Sequence, residues 1–264
     1  MKRHLSAYIN CVKIALSKAL AYRASFLLSC LITLAGNLAF PLITLLIYGA
    51  GASFPGWSFY EVLLIQSVFT LSAGLSGLAL GAVIWVTMLH VREGTFETVL
   101  LKPVHPLFFI VSTNFNPENA GLTLGGVTLL CVSLIGAVRE GVTLSALAVL
   151  SSIALFLAGL LVMGGISLIM SAASFRWVGN SRLPEMFASV ENFGRYPLPI
   201  FPKAVQSVVT FVIPVGMVGF FPGAALLGRA ETQMWLSVPL CVLFFGFGVW
   251  LYNRMIRQYQ GVGG

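Results

Sequence analysis

Five apolar stretches, each about as long as the roughly 20 residues a helix needs to cross a bilayer, decide most of what this chain can fold into. They run over about 24–48, 62–89, 120–138, 142–174 and 234–252. Only 9% of the 264 residues are charged and the mean hydropathy is +0.95. A soluble domain carries about 25% charged residues, so this chain has too few to cover a water-facing surface. It reads as an all-α integral membrane protein, because a helix satisfies its own backbone inside lipid. The 27 glycines and 12 prolines fit that reading, since spanning helices tolerate both.

Between Arg176 and Ala230 the pattern is less plain. The stretch 183–201 carries Glu185, Glu191, Asn192, Arg195 and three prolines. The stretch 204–227 is more apolar but is broken by Pro214, Gly219, Pro222 and Gly223, and hydropathy alone would choose it as the span. Basic residues set the orientation. Lys2, Arg3, Lys13, Lys18 and Arg23 precede the first span, and the following loop, 49–60, has none. Arg92 and Lys102 follow the second span, Arg176 and Arg182 the fourth, and Arg254 and Arg257 the last, while Arg139 between spans three and four is offset by Glu140. Both termini are expected on the cytoplasmic side, which requires an even number of spans and points to six. Ahead of the first span, Leu5, Tyr8, Ile9, Val12, Leu16 and Leu20 recur at three- and four-residue spacing, predicting an amphipathic interfacial helix over 1–23. With no continuous apolar core or A-x-A site before Arg23, this segment is not expected to be a cleavable signal peptide.

Several functions are excluded or disfavoured. The net charge of +7 arises from fifteen Lys and Arg against eight Glu, with no Asp. The basic residues lie between apolar spans, so anionic headgroups explain them better than nucleic acid does. No G-x-x-x-x-G-K-[ST] occurs, and without Asp the usual acidic Mg²⁺ ligand is missing, so the chain is not expected to hydrolyse ATP itself. His4, His90 and His105 are dispersed, Cys11, Cys30, Cys131 and Cys241 form no C-x-x-C pair, and no metal site is expected. The pairs Gly77/Gly81 and Gly121/Gly125 have the spacing of close helix contacts.

The most informative polar stretch is REGTFETVLLKPVHPLF, residues 92–108. It places Arg92, Glu93 and Glu97 beside a short apolar ridge, Val99, Leu100 and Leu101, and Lys102-Pro103 stops the helix. Such a segment can lie along the membrane with its ridge inward and its charges toward the cytosol. The residues alone leave two readings open: an ordinary interfacial helix, or a lever taking force from a soluble partner.

This stretch, together with AYRASFLLS (21–29), GWSFYEVLL (56–64), ENFGRYPLPIFP (191–202) and FVIPVGMVGFFPGAALLG (211–228), resembles the permease subunits of bacterial type-2 ABC exporters. The similarity is to the ABC-2 subfamily of about 260 residues and covers essentially the whole chain. It implies a single transmembrane permease domain over 1–264, with a coupling-helix loop at 90–112 and an outer re-entrant region at 203–228. By that resemblance, Arg92, Glu93, Gly94, Thr95 and Glu97 contact an ABC ATPase subunit. Glu185, Glu191, Asn192 and Arg195 belong to a polar fifth span beside the pathway, and Pro214 is the re-entrant turn, where the wider class often has Asn-Pro rather than Ile213-Pro214. The resemblance also implies two ATPase copies that bind ATP and Mg²⁺, no cofactor in this chain, a second identical or related permease, and the bacterial cytoplasmic membrane. The rival readings are an ATP-independent carrier or channel, and a membrane scaffold that anchors an ATPase.

Overall fold

The computed structural model describes residues 2–177 and 183–259, and all its regular elements in that range are helical. Helix α1 (Lys2–Ala21) leads into α2 (Arg23–Gly49). The second apolar stretch is two helices, α3 (Phe59–Ala79) and α4 (Gly81–Arg92), which meet at Leu80. Short α5 (Glu97–Leu100) and α6 (Pro106–Thr113) then lead to α7 (Ala120–Arg139) and α8 (Ala146–Ser174). After α9 (Leu183–Glu191) come a 3₁₀ turn (Asn192–Arg195), α10 (Lys203–Ser207), α11 (Phe220–Leu226) and finally α12 (Thr232–Gln258). Among the described residues, five apolar elements are long enough to cross a membrane: α2, α3, the run Pro117–Arg139 that contains α7, α8 and α12. Each overlaps one of the five apolar stretches of the sequence, although α3 covers the second, 62–89, only as far as Ala79. Helix α9 has nine residues, only about 14 Å at 1.5 Å per residue.

Small residues set how closely these helices approach. A Cβ on Gly121 or Gly125 of α7 would collide with Cys30 or Leu34 of α2, so this G-x-x-x-G pair is a real seam. The other pair is only half used: Gly77 abuts Asn119, whereas Gly81 faces open space. Gly74 against Thr123 and Gly126 against Leu71 bring α3 onto α7, and Gly165 and Gly248 do the same for α8 and α12. Helix α3 lies at the centre, 67% buried over its most apolar window, while α2 is 11% buried and nearly bare.

The segment 203–227 folds back on itself. Helix α10 continues as a π turn (Val208–Val212) and stops at extended Ile213, because Pro214 has no N–H to continue the helix and disfavours α geometry before it. A 3₁₀ turn (Val215–Met217) and α11 then return along α3 and α8. The Ser72 hydroxyl donates to the Val218 carbonyl at 2.8 Å. Position 219 must be glycine-sized, since a Cβ there would collide with the Gly194 carbonyl and the Phe69 side chain, and one at 223 would press tightly on Ile65. Just beyond α11, Arg229 reaches Glu61 near the start of α3 at 2.6 Å. The hairpin therefore runs alongside α3 from Ser72 to Glu61, a depth of about 17 Å. Glu61 also closes a capping box on α3, accepting from the Ser58 N–H at 2.9 Å.

Candidate functional site

Residues 92–101 form a tight reversal at the end of α4. Gly94 has φ +68°, a left-handed conformation that costs glycine nothing, and it turns the chain after Arg92 and Glu93. The Thr95 N–H donates to the His90 carbonyl at 2.9 Å, and the Thr95 hydroxyl meets His90 Nδ1 at 2.8 Å. Thr98 Oγ1 donates back to the Thr95 carbonyl at 2.7 Å. Helix α5 itself is one turn, too short to be stable alone.

Its anchors are Phe96 and Val99, both fully enclosed. The Phe96 ring meets Phe175 edge-on with centroids 4.8 Å apart, and Tyr259 at 5.4 Å. Phe175 in turn contacts Tyr252 of α12 at 5.7 Å, and the Tyr252 hydroxyl lies 3.2 Å from Thr87 Oγ1 of α4. Val83, Val91, Ile110, Leu168 and Ala172 complete this cluster. The turn is thereby wedged against α4, α6, α8 and α12 at once. The Tyr259 phenol is pushed above its usual range, first by burial and then by the Glu97 carboxylate.

The exposed side of the reversal carries Arg92, Glu93, Glu97 and Thr98. The expected inward ridge does not form as a unit. Val99 points in, but Leu100 and Leu101 are 41% and 83% exposed. Side chains at i and i+1 or i+2 cannot share one face of a single helical turn, and Phe96, three residues before Val99, takes the place beside it. Phe96 carried no signal of its own in the sequence, because it stands between Thr95 and Glu97 in a polar run and is buried only by tertiary contacts.

A second polar constellation lies within the bundle. Arg195 is buried, with its guanidinium carbon 4.1 Å from the ring centroids of both Phe40 and Phe69. Its Nε donates to Asn192 Oδ1 at 2.8 Å and one terminal nitrogen donates to Asn37 Oδ1 of α2 at 3.0 Å. The other terminal nitrogen has no partner among the described residues. Gly194 lets this segment press on the Val215 carbonyl of the hairpin. Thus Arg195 and Asn192 come together with Asn37, a polar residue that interrupts the first apolar stretch but that nothing in the sequence connects with them. Glu191 is half-buried one turn earlier, and Glu185 is exposed, away from this constellation. Pro214 sits at the turn of the hairpin. Arg182 and Ser181 lie outside the described residues.

The family described as ABC-2 family transporter protein matches residues 31–263. The chain belongs to this family. It is therefore a multi-pass membrane protein and a transmembrane transporter component. ABC-2 membrane proteins are permease subunits that generally work with an ATPase carried on a separate subunit. No curated protein and no solved structure matches the chain.

Proposed function

We propose that this ABC-2 permease is one half of the transmembrane pathway of an ATP-driven exporter in the bacterial cytoplasmic membrane, and that α5 with its flanking reversal is the joint to the ATPase. The observation that carries this reading is the wedge: Arg92, Glu93 and Glu97 are offered outward while Phe96 and Val99 tie the same few residues to α4, α6, α8 and α12. Closure of a partner ATPase on ATP would push this turn and shift those helices together. ATP and Mg²⁺ would be held by the partner, with two ATPase copies serving two permease copies.

The proposed topology has six spans with both termini in the cytoplasm. Lys13, Lys18, Arg23, Arg92, Lys102, Arg176, Arg254 and Arg257 are on the segments flanking the α5 end of the bundle, which supports placing it inside. The fifth crossing would be the chain 183–202, in which α9 and its 3₁₀ turn are too short to span by themselves and the Pro-rich run after them completes the passage, and residues 203–228 would re-enter from the outside. The depth of the hairpin, about half of a hydrocarbon core of roughly 30 Å, supports re-entry over a full crossing. Arg195, Asn192 and Glu191 would line the pathway side of the fifth span, and the nearly bare α2 would face a second permease. Glu185, exposed and apart from them, would face the aqueous cytoplasmic side.

The test replaces Gly94 with Trp and Glu97 with Arg together. Membrane insertion is expected to persist, while transport is lost and co-purification with the ATPase weakens. Normal transport in this double variant would overturn the assignment. An ATP-independent carrier would keep transporting without the ATPase; a scaffold would bind the ATPase and move no cargo.

A further inference from the structure

At the α5 end, an open cleft of about 620 Å³ lies between α1, the start of α2, α4 and the connection Thr113–Glu118. The chain gives two rulers for its depth. From Phe59 to the break at Leu80 is about 32 Å of helix, and α7, beginning at Ala120 directly after Glu118, is about 30 Å long. Both match a hydrocarbon core of roughly 30 Å. The Asn116 N–H donates to the Leu78 carbonyl at 3.0 Å, which fixes the connection at the level of the break. The cleft is therefore at headgroup depth on the proposed cytoplasmic side, beneath the amphipathic α1.

Its lining is chemically mixed. Lys18 supplies an ammonium and Glu118 a carboxylate, with Tyr22, Ser25, Thr113 and Asn114 as further polar groups. Among the described residues neither charged group has an ion-pair partner. The backbone of Glu118 is pinned, its N–H by Asn116 Oδ1 at 3.1 Å and its carbonyl by the Cys30 thiol at 3.3 Å, so the carboxylate is presented from a fixed point. A second cavity of about 450 Å³, bordered by the same Ala82, Asn116 and Glu118, continues past Gly77, Gly81 and Trp85. A Cβ at Gly81 would meet nothing within 4 Å, which leaves an open trough beside the exposed indole.

We propose that this cleft binds a zwitterionic aminophospholipid of the adjoining leaflet, its phosphate at Lys18, its primary ammonium at Glu118, and one acyl chain in the trough at Gly81 and Trp85. An anionic headgroup without an amine would satisfy Lys18 but place negative charge against Glu118. A quaternary amine would meet the carboxylate without an N–H to donate. The ligand is thus distinguished by its primary amine. This inference rests on the membrane placement proposed above and not on transport, so loss of lipid retention and loss of coupling are separate outcomes.

The test uses the full chain in nanodiscs with equal phosphatidylethanolamine, phosphatidylcholine and phosphatidylglycerol, followed by native mass spectrometry of the released protein. Wild type is expected to retain one phosphatidylethanolamine in preference to the others. Glu118→Gln should erase that preference, a change of up to about fivefold for one partly exposed charge pair. Lys18→Gln should lower retention of all three lipids alike, and Gly81→Leu should displace the acyl chain without altering headgroup preference in what remains bound. Unchanged thermal midpoints for the variants guard against misfolding. Equal retention of the three lipids by wild type, or an undiminished preference in Glu118→Gln, would overturn the proposal. Efficient disulfide cross-linking between two copies through cysteines at 18 and 82 would also overturn it, by showing that a second chain fills the cleft.

Discussion

Replacing Phe96 with alanine should disconnect the charged reversal from the bundle while leaving the spans in place. The side chain is fully enclosed, and truncating a core phenylalanine costs about 3–5 kcal/mol. The two edge-on contacts, with Phe175 and Tyr259, account for about 1–3 kcal/mol of that. A single helical turn held by two anchors has little else to keep it docked. A shift of about 3 kcal/mol changes the docked-to-undocked ratio by about a hundredfold. The loss falls on this local equilibrium, because α2, α3, α7, α8 and α12 make most of their contacts elsewhere. A cysteine substituted for Val99, enclosed beside Phe96, provides the assay. In the parent background it should react slowly with a maleimide; with Phe96→Ala it should react many times faster, and ATP-driven transport should fall even where the ATPase still binds. Phe96→Leu, which keeps most of the apolar volume, should lie between them. If the Val99→Cys thiol stays unreactive in the Phe96→Ala background, or transport is undiminished, the wedge is refuted.

Asn37→Leu leaves a further N–H of the buried Arg195 without an acceptor, and is expected to destabilise the protein by about 1.5–3 kcal/mol in a detergent melt. Arg195→Met, which removes the charge instead, should leave stability equal or higher but lower transport; a melt in which Arg195→Met is the worse of the two would contradict this. Arg229→Ala strands the Glu61 carboxylate, 8% exposed, and should loosen the hairpin, read as faster labelling of a cysteine at Val218. A cysteine at Lys203 should react with an impermeant maleimide added to intact cells; protection there, with labelling at Arg229, would make 204–227 a spanning helix.

The five long spans were legible because length and hydropathy are local properties. Pro214 and Pro222 likewise marked 203–228 as something other than a plain crossing. What escaped the sequence depends on contacts between distant residues. Phe96 is buried by Phe175 and Tyr259, 79 and 163 residues away by their numbering, and nothing near it announces that. Leu100 and Leu101 looked like partners of Val99 because they adjoin it, whereas a single turn of helix sends the three in different directions. Nor does nearness in sequence identify the partners of Arg195: Glu185 is exposed and apart from the guanidinium, which bonds Asn192 and, on α2, Asn37. Gly121 and Gly125 shared a spacing with Gly77 and Gly81, but only the first pair has a helix opposite both positions.

The most direct test of the central claim is site-specific cross-linking of the reversal to the ATPase in the assembled transporter. With a photoreactive residue at Glu97, a covalent adduct to the ATPase subunit is expected, its yield changing between the nucleotide-free and ATP-bound states. The same residue placed at Lys203 should give none. Absence of any ATPase adduct from position 97 in a complex that transports would contradict the assignment of α5 as the joint.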